Sequence, residues 1–513
     1  MTVKARKTNG FLNLKNPFDQ LSLEEKRALV ARLLSQRAMT LEAFPLSYAQ
    51  ERLWFMDQLQ PGTATYNIPM ALRFPGALDV KAMAWSFNEI VRRHETLRTT
   101  FGTQNDRPVQ IIAPELTLQL PVVDLQECPA SEREAAAERL AMEEARRGFD
   151  LRRGPLIRVS LLRMGPHDHV LLLTMHHIVG DAWSLGILFR ELTVLYEAAC
   201  RGAGSPLAPL RIQYADFAVW QRKWLTEARL AKQVEYWRQR LLGAPPELAL
   251  PTDRPRPEVR SYAGMTLPFR CPRQVADKLG LVAREAGGTV FMVLLTAFKV
   301  LLHRYSGQAD LVVGTPMANR NRAEIEGLIG FFVNMVVLRT DLSGNPSFRQ
   351  ALQRVKEVTL GAYDHADVPF ERLVEELRPD RSVARNPIFQ VAFALQNTPA
   401  FAAKSAAAAA QPDNRPREAE TAAGGIGTAK FDLLLSMGEA ADGLIGAFEY
   451  STDLFDLPTI RQMQHHFAAI LAAVAQDQDV RVLDITLRPD GECGAPERER
   501  SSLHDAAESF SFQ

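Results

Sequence analysis

The chain has 513 residues, 46% hydrophobic and 23% charged, which is ordinary for globular protein and long enough for two to four domains or one large two-lobed unit. Lys+Arg and Asp+Glu both number 60, and the resulting zero net charge gives no reason to expect nucleic acid or an anionic membrane as partner. Cys128, Cys200, Cys271 and Cys493 lie far apart, with no CxxC or Cys/His cluster, which argues against disulfides, a redox pair or a metal site. The basic N-terminus lacks a signal-type apolar region and no run of about 18 apolar residues occurs, so a soluble cytoplasmic protein is expected.

In chain order, residues 1–20 read as a polar tail, and 21–38 as a short amphipathic helix leading into a body that starts near Phe44. Helical patterns follow at 47–59, 78–97 and 131–149, and strand patterns at 107–114 and 156–164. HVLLLTMHH (169–177) is short, apolar and bounded by polar residues, the pattern of a buried strand. Helical periodicity resumes over 183–200, with Ser184 the candidate N-cap. Residues 201–260 are rich in proline and glycine and read as a crossover between two lobes. The second lobe repeats the first in kind, with strands at 309–317 and 333–342, giving an α/β (α+β) architecture. The alanine-rich stretch 401–427 reads as a surface loop, order returns over 431–474, and the last stretch reads as a disordered tail. The proposed division is tail and linker helix 1–43, first lobe 44–222, second lobe 223–485 and tail 486–513.

The chemistry concentrates in MHHIVGDAWS (175–184), a strand, a tight loop and a helix, which together can aim side chains. Neighbouring strand residues point to opposite faces, so only one of His176 and His177 can face a given cavity. Asp181 follows His177 across a loop that contains Gly180, within reach to brace that loop or pair with a cation. A neutral imidazole suits amide formation from a thioester, because the attacking amine becomes cationic as it adds and a histidine can take its proton or stabilise the charge. Taken alone, a His-His-x-x-x-Asp run has structural explanations as well. No HExxH-like spacing supports metal binding.

MHHIVGDAWS resembles the HHxxxDG signature of nonribosomal peptide synthetase condensation domains, and other segments are similar to that family's motifs in the family's order. They are SYAQERLWFMDQL (47–59), RHETLRTTF (93–101), YADFAVWQ (214–221), IGFFVNM (329–335), HADVPFERLV (365–374) and RNPIFQV (385–391). The wording of YNIP (66–69) and FFVN (331–334) is most similar to the class joining an L-configured donor to an L-amino acid. The resemblance implies two chloramphenicol-acetyltransferase-like lobes in a V-shaped pseudo-dimer with a tunnel between them, entered by phosphopantetheine arms of donor and acceptor peptidyl carrier proteins. No cofactor would be held tightly. Adenylation domains of the same assembly line would load the carriers, and the chain itself would be a monomer.

On the same resemblance His177 is the active-site residue, His176 is structural, and Asp181 bridges to Arg98 to hold the loop. Gly180 and Ser184 support that loop, while Ala182, Trp183 and Asn334 border the tunnel. The family has glycine where this chain has Ala182, so the extra methyl either sits at an ordinary negative φ or narrows the tunnel. The C-terminal DAAESFSFQ is a candidate docking segment. Two rival readings are an ester-forming or coenzyme A-dependent acyltransferase and a catalytically silent platform that recruits another enzyme. The DFGWG motif of plant-type relatives is absent, and an intact His176, His177 and Asp181 weigh against the platform.

Overall fold

The computed structural model describes residues 42–377, 385–396, 417–418 and 427–487. The expected helix over 21–38, the alanine-rich part of 401–427 and the tail beyond 487 lie outside the described residues.

The apolar run before the histidines becomes the central strand of the first lobe. Asp168–His176 is buried from His169 onward and pairs antiparallel with Asn67–Pro75 on one side and Ile157–Gly165 on the other. Side chains alternate between the two faces of the sheet. Leu171, Leu173 and Met175 therefore enter a core with Met83, Phe87 and Ile90 of helix Val80–Arg93 and Leu185, Leu188 and Leu192 of helix Ala182–Cys200. Val170 and Leu172 face the other way, onto Ala136 and Ala137 of helix Ala130–Arg146. Burial on both faces is why this strand reads as a continuous apolar run instead of an alternating one. The sheet has five strands, in the order Arg417–Glu418, Asn67–Pro75, Asp168–His176, Ile157–Gly165 and Val122–Asp124. A smaller three-stranded sheet joins Glu42–Pro45, Arg107–Ile112 and Thr99–Gln104.

The second lobe is built on a six-stranded mixed sheet in the order Asn334–Asp341, Asp310–Met317, Val391–Gln396, Leu433–Ala440, Gly443–Ser451 and Gly264–Pro272. Its hairpin between Leu433–Ala440 and Gly443–Ser451 needs glycine at 443, where φ is +139° and a Cβ would fall 2.2 Å from the Cys271 carbonyl oxygen. Helix Val290–Ser306 is buried from Met292 to His303 and ends on Gly307, whose left-handed φ of 71° closes its C-terminus.

The lobes are not simple consecutive halves. Helix Tyr214–Trp224 packs Tyr214 and Phe217 against Ile325, Leu328 and Phe332. The following helix, Glu227–Leu241, puts Leu230, Val234 and Trp237 into the second-lobe core. Residues 320–332 were expected with the second lobe; instead they reach back across, with Ile329 buried in the first-lobe core and Phe331 packed against it. Arg417 and Glu418 also return, pairing with Arg73 and Leu72 at the edge of the first sheet. Among the described residues no single helix is long and apolar enough to cross a membrane.

Lys299 is an ammonium in the middle of the second-lobe core. It is fully buried and donates to the Leu338 carbonyl (2.7 Å) and to Thr340 Oγ1 (2.8 Å), and burial pulls its pKa down to about 7. The unfolded chain keeps that proton up to the ordinary lysine value, so this group makes stability rise as pH climbs from about 7 towards 10, by up to ~1.4 kcal/mol per unit. Denaturant titrations at pH 7 and pH 9 should show Lys299→Met lacking this increment. An identical pH slope in the two proteins would contradict it.

Candidate active site

The two histidines sit where the central strand ends. His176 is its last residue, and His177 opens the short 3-10 turn His177–Val179. Period-two alternation puts His176 on the Val170 and Leu172 face, and its ring lies 6.0 Å from Phe149 and 6.3 Å from Tyr66, centroid to centroid. Its Nδ1 accepts the Ile178 N–H (3.1 Å), so its own hydrogen is on Nε2. Burial, reinforced by the nearby Lys430 and Arg158 charges, pulls its pKa down to about 3, so this ring stays neutral at working pH.

His177 has the opposite tautomer. Its Nδ1 is 3.1 Å from the Gly180 carbonyl oxygen, which can only accept, so Nδ1 carries the hydrogen and the lone pair of the neutral ring is left on Nε2. Its main-chain N–H donates to Tyr66 O (2.8 Å), and its ring centroid is 5.5 Å from that of Phe331. It is 9% exposed, against 4% for His176. Gly180 is extended, and its reason for being glycine is proximity: a Cβ would come 2.7 Å from Met175 Sδ. The loop that supplies the Gly180 carbonyl therefore lies flat on the strand's last turn of side chains.

Asp181, 1% exposed, is the N-cap of helix Ala182–Cys200. That corrects the expectation for Ser184, which sits three residues inside the cap and is one of its donors. Asp181 Oδ1 accepts from Ser184 N (2.8 Å), Ser184 Oγ (2.7 Å) and Arg320 Nη2 (3.1 Å), and Oδ2 accepts from Phe332 N (3.1 Å). The Ser184 oxygen in turn accepts from Gly330 N (3.1 Å) and Arg320 Nη2 (3.0 Å). The partner of Asp181 is thus Arg320 and not Arg98. Arg98 is engaged with its neighbours, donating to the Ala113 carbonyl and to Glu95 Oε1 (3.3 Å), an i,i+3 pair. Arg320 also donates to the carbonyls of Ile325 (2.8 Å) and Leu328 (2.7 Å) and covers the Phe332 ring at 4.1 Å, which ties the whole 320–332 segment to the histidine loop.

Other residues fasten the same segment. Ile329 N donates to His94 Nδ1 (3.3 Å), whose Nε2–H meets Glu191 Oε2 (2.9 Å). Burial pulls the His94 pKa down against the pull of Glu191, which keeps Nδ1 an acceptor. The Trp183 indole donates to Glu326 O (2.9 Å), and the Tyr214 hydroxyl to Phe331 O. At Gly330 a Cβ would lie 2.0 Å from the Tyr214 ring. Ala182 is the first residue of its helix and has no positive φ, so the backbone there does not call for the family's glycine. Asn334 spends both amide hydrogens on the carbonyls of Ala366 (2.9 Å) and Val368 (2.8 Å) and accepts from Phe370 N (3.0 Å), clamping 366–370 to its own strand. Among the described residues no His, Cys, Asp and Glu side chains group so as to hold a metal ion.

Sequence reasoning did not single out Arg320, His94, Glu191 or Gly330. His94 and Gly330 lie inside quoted motifs, and that placement was their only local signal.

The Condensation family model, described as "Condensation domain", matches residues 41–494. The chain belongs to the condensation domain family. It is 48% identical over 443 residues to a linear gramicidin synthase of Brevibacillus parabrevis, covering 86% of this chain and 9% of that protein. It is 43% identical over 437 residues to phosphinothricin tripeptide synthetase PhsC of Streptomyces viridochromogenes, covering 84% of this chain and 39% of that one. This condensation domain therefore spans a minor part of the length of the curated relatives it matches. Among solved structures it superimposes on the X-domain from teicoplanin biosynthesis with a TM-score of 0.74 at 30% identity, over 87% of this chain and 98% of that one. Condensation domains of such synthetases are acyltransferases that form peptide bonds between carrier-bound substrates. The two-lobed α/β fold read from the sequence is the fold of this family.

Removing one partner of a buried ion pair leaves the other charged and dry. Arg320→Met should therefore cost ~3–5 kcal/mol of stability, and Arg98→Met, at a partly exposed local pair, much less. Chemical denaturation of both variants checks this, and comparable losses would return Arg98 to the role first expected of it.

Proposed function

We propose that this chain joins a donor acyl or peptidyl thioester to an acceptor aminoacyl thioester, with both substrates tethered to phosphopantetheine arms of peptidyl carrier proteins and meeting at His177. The observation that carries the reading is the Nδ1–H to Gly180 contact, which leaves the Nε2 lone pair as the reactive feature of that ring. The acceptor amine attacks the thioester carbonyl carbon, and the new C–N bond forms as the amine nitrogen gains positive charge. His177 Nε2 takes the amine proton or stabilises that charge, the carbon–sulfur bond breaks, and the proton given up by the amine ends on the departing sulfur, so that the donor arm leaves as a thiol. His176 plays no part in proton transfer, because a ring held neutral in a closed pocket neither charges nor moves within the working pH range. Asp181 and Arg320 act at one remove, by fixing the loop whose Gly180 carbonyl sets the His177 tautomer.

On this reading the arms approach between the lobes. Ala182 and Trp183 border the approach from the first lobe, and Asn334 shapes the second-lobe wall through the 366–370 turn that it holds. Donor and acceptor carriers and the adenylation domains that load them are the partners, in a cytoplasmic assembly line for a secondary metabolite. The chain acts as a monomer with no tightly held cofactor.

His177→Ala should lower product formation between loaded carriers ~100- to 10,000-fold while leaving the folded state intact, since Gly180 keeps its place through its neighbours. Mass spectrometry of the acceptor carrier reads the product directly. Undiminished product would remove His177 from the chemistry, product formation by the intact assembly line left untouched by the same substitution would favour the recruitment platform, and product from a hydroxyl acceptor but not from an amine would favour the ester-forming enzyme.

A further inference from the structure

Three first-lobe side chains accept hydrogen bonds from one four-residue strip of the crossing segment, Ile329 to Phe332. The Ile329 N–H donates to His94 Nδ1 (3.3 Å), the Gly330 N–H to Ser184 Oγ (3.1 Å) and the Phe332 N–H to Asp181 Oδ2 (3.1 Å), while the Phe331 carbonyl accepts from the Tyr214 hydroxyl. Ile329, Gly330 and Phe332 are buried, and of the four only Phe331 keeps exposed surface. Its ring lies against the His177 imidazole, 5.5 Å between centroids. Backbone bonds on both sides of Phe331 therefore decide where that ring stands beside the reactive histidine.

The three acceptors differ in what acid does to them. Asp181, a carboxylate paired with Arg320, and the Ser184 hydroxyl keep their lone pairs. His94 offers a single lone pair, on Nδ1, and only while it is neutral, because an imidazolium carries hydrogen on both nitrogens and accepts nothing. The ring is 1% exposed and follows the last residue of helix Val80–Arg93. The charged groups facing it are Glu191 from helix Ala182–Cys200, whose Oε2 holds Nε2–H at 2.9 Å, Arg93, which holds Glu191 Oε1 at 3.0 Å, and Arg320 from the crossing segment. Burial, helped by the two arginines, outweighs Glu191 and pulls the His94 pKa below the ordinary histidine value, so the neutral ring is the working form. We propose that His94 is a positioning residue for His177, acting through Ile329 and the Phe331 ring, and that condensation fails when His94 gains a proton. This rests on the condensation reading given above.

The test is kcat and KM for product formation between loaded carriers in two variants. His94→Leu deletes the acceptor, whereas the amide oxygen of His94→Gln can accept the Ile329 N–H and does not titrate. At about pH 8, His94→Leu should lower kcat about 10- to 100-fold with KM within about threefold, and His94→Gln should recover most of that loss. In a Phe331→Ala background, His94→Leu should cost less than about threefold more, because the link to His177 is already cut. Over the acid range in which circular dichroism shows both chains folded, the rate of the unaltered chain should fall more steeply than that of His94→Gln, by up to about tenfold per pH unit. Both chains lose the lone pairs of His177 and of the acceptor amine there, but only the unaltered one also loses that of His94. The inference is overturned by an unchanged kcat in His94→Leu, by a His94→Gln variant as slow as His94→Leu, by the same multiplicative loss in the Phe331→Ala background, or by coincident acid limbs. Should His94→Leu not fold, the acid limbs alone decide. No product from the unaltered chain would remove the condensation reading and this inference with it.

Discussion

A carboxylate shut away from water must be met by donors, and four converge on Asp181: the Ser184 amide and hydroxyl, the Phe332 amide and the Arg320 guanidinium. Two of these come from the helix that Asp181 starts and two from a segment about 140 residues further along the chain. One side chain thereby caps a helix, neutralises a buried cation and fixes a loop from the other half of the protein. The histidine turn is the next layer out. His177 can keep its hydrogen on Nδ1 only while the Gly180 carbonyl stays put, and Gly180 is held between Met175 and the first turn of the Asp181-capped helix.

The adjacent histidines show how one strand end creates two chemical environments. His176 is turned against Phe149 and Tyr66 with its Nδ1 occupied by a backbone donor, and it is too dry to ionise. His177 has left the strand for a turn, which frees it from strict alternation and gives it a backbone acceptor instead of a donor. Two identical residues are in this way assigned opposite tautomers by the hydrogen-bonding groups within three residues of them.

Much of this was legible in the sequence because the signals are local. The apolar run at 169–177 is the strand Asp168–His176, and the periodicity of 183–200 is the helix Ala182–Cys200. The strands read at 309–317 and 333–342 are Asp310–Met317 and Asn334–Asp341. Errors arose where the deciding partner was distant or where a nearer candidate competed. Ser184 is a good cap by residue type, but Asp181 precedes it with the same capacity and a full charge to set against the helix N-terminus. Arg98 sits in a motif and looked available, yet Glu95 lies one helical turn away and engages it, while nothing near Asp181 in sequence points to residue 320. The return of 320–332 onto the first lobe had no periodic signature, because its order comes from single hydrogen bonds to His94, Ser184 and Tyr214 and not from a repeating apolar face.

That interleaving bears on how such domains can be recombined. An exchange of residues 44–222 between relatives would carry Asp181, Ser184, His94 and Tyr214 into a host that supplies its own counterpart of 320–332. A graft of this kind inherits a charged socket from one parent and its plug from the other. It will fold only where both parents agree on the arginine, on the glycine that clears the tyrosine ring, and on the backbone path between them. The natural unit of exchange in this architecture is therefore the pair of interlocked lobes, even though a cut through the proline-rich crossover looks clean on the linear map.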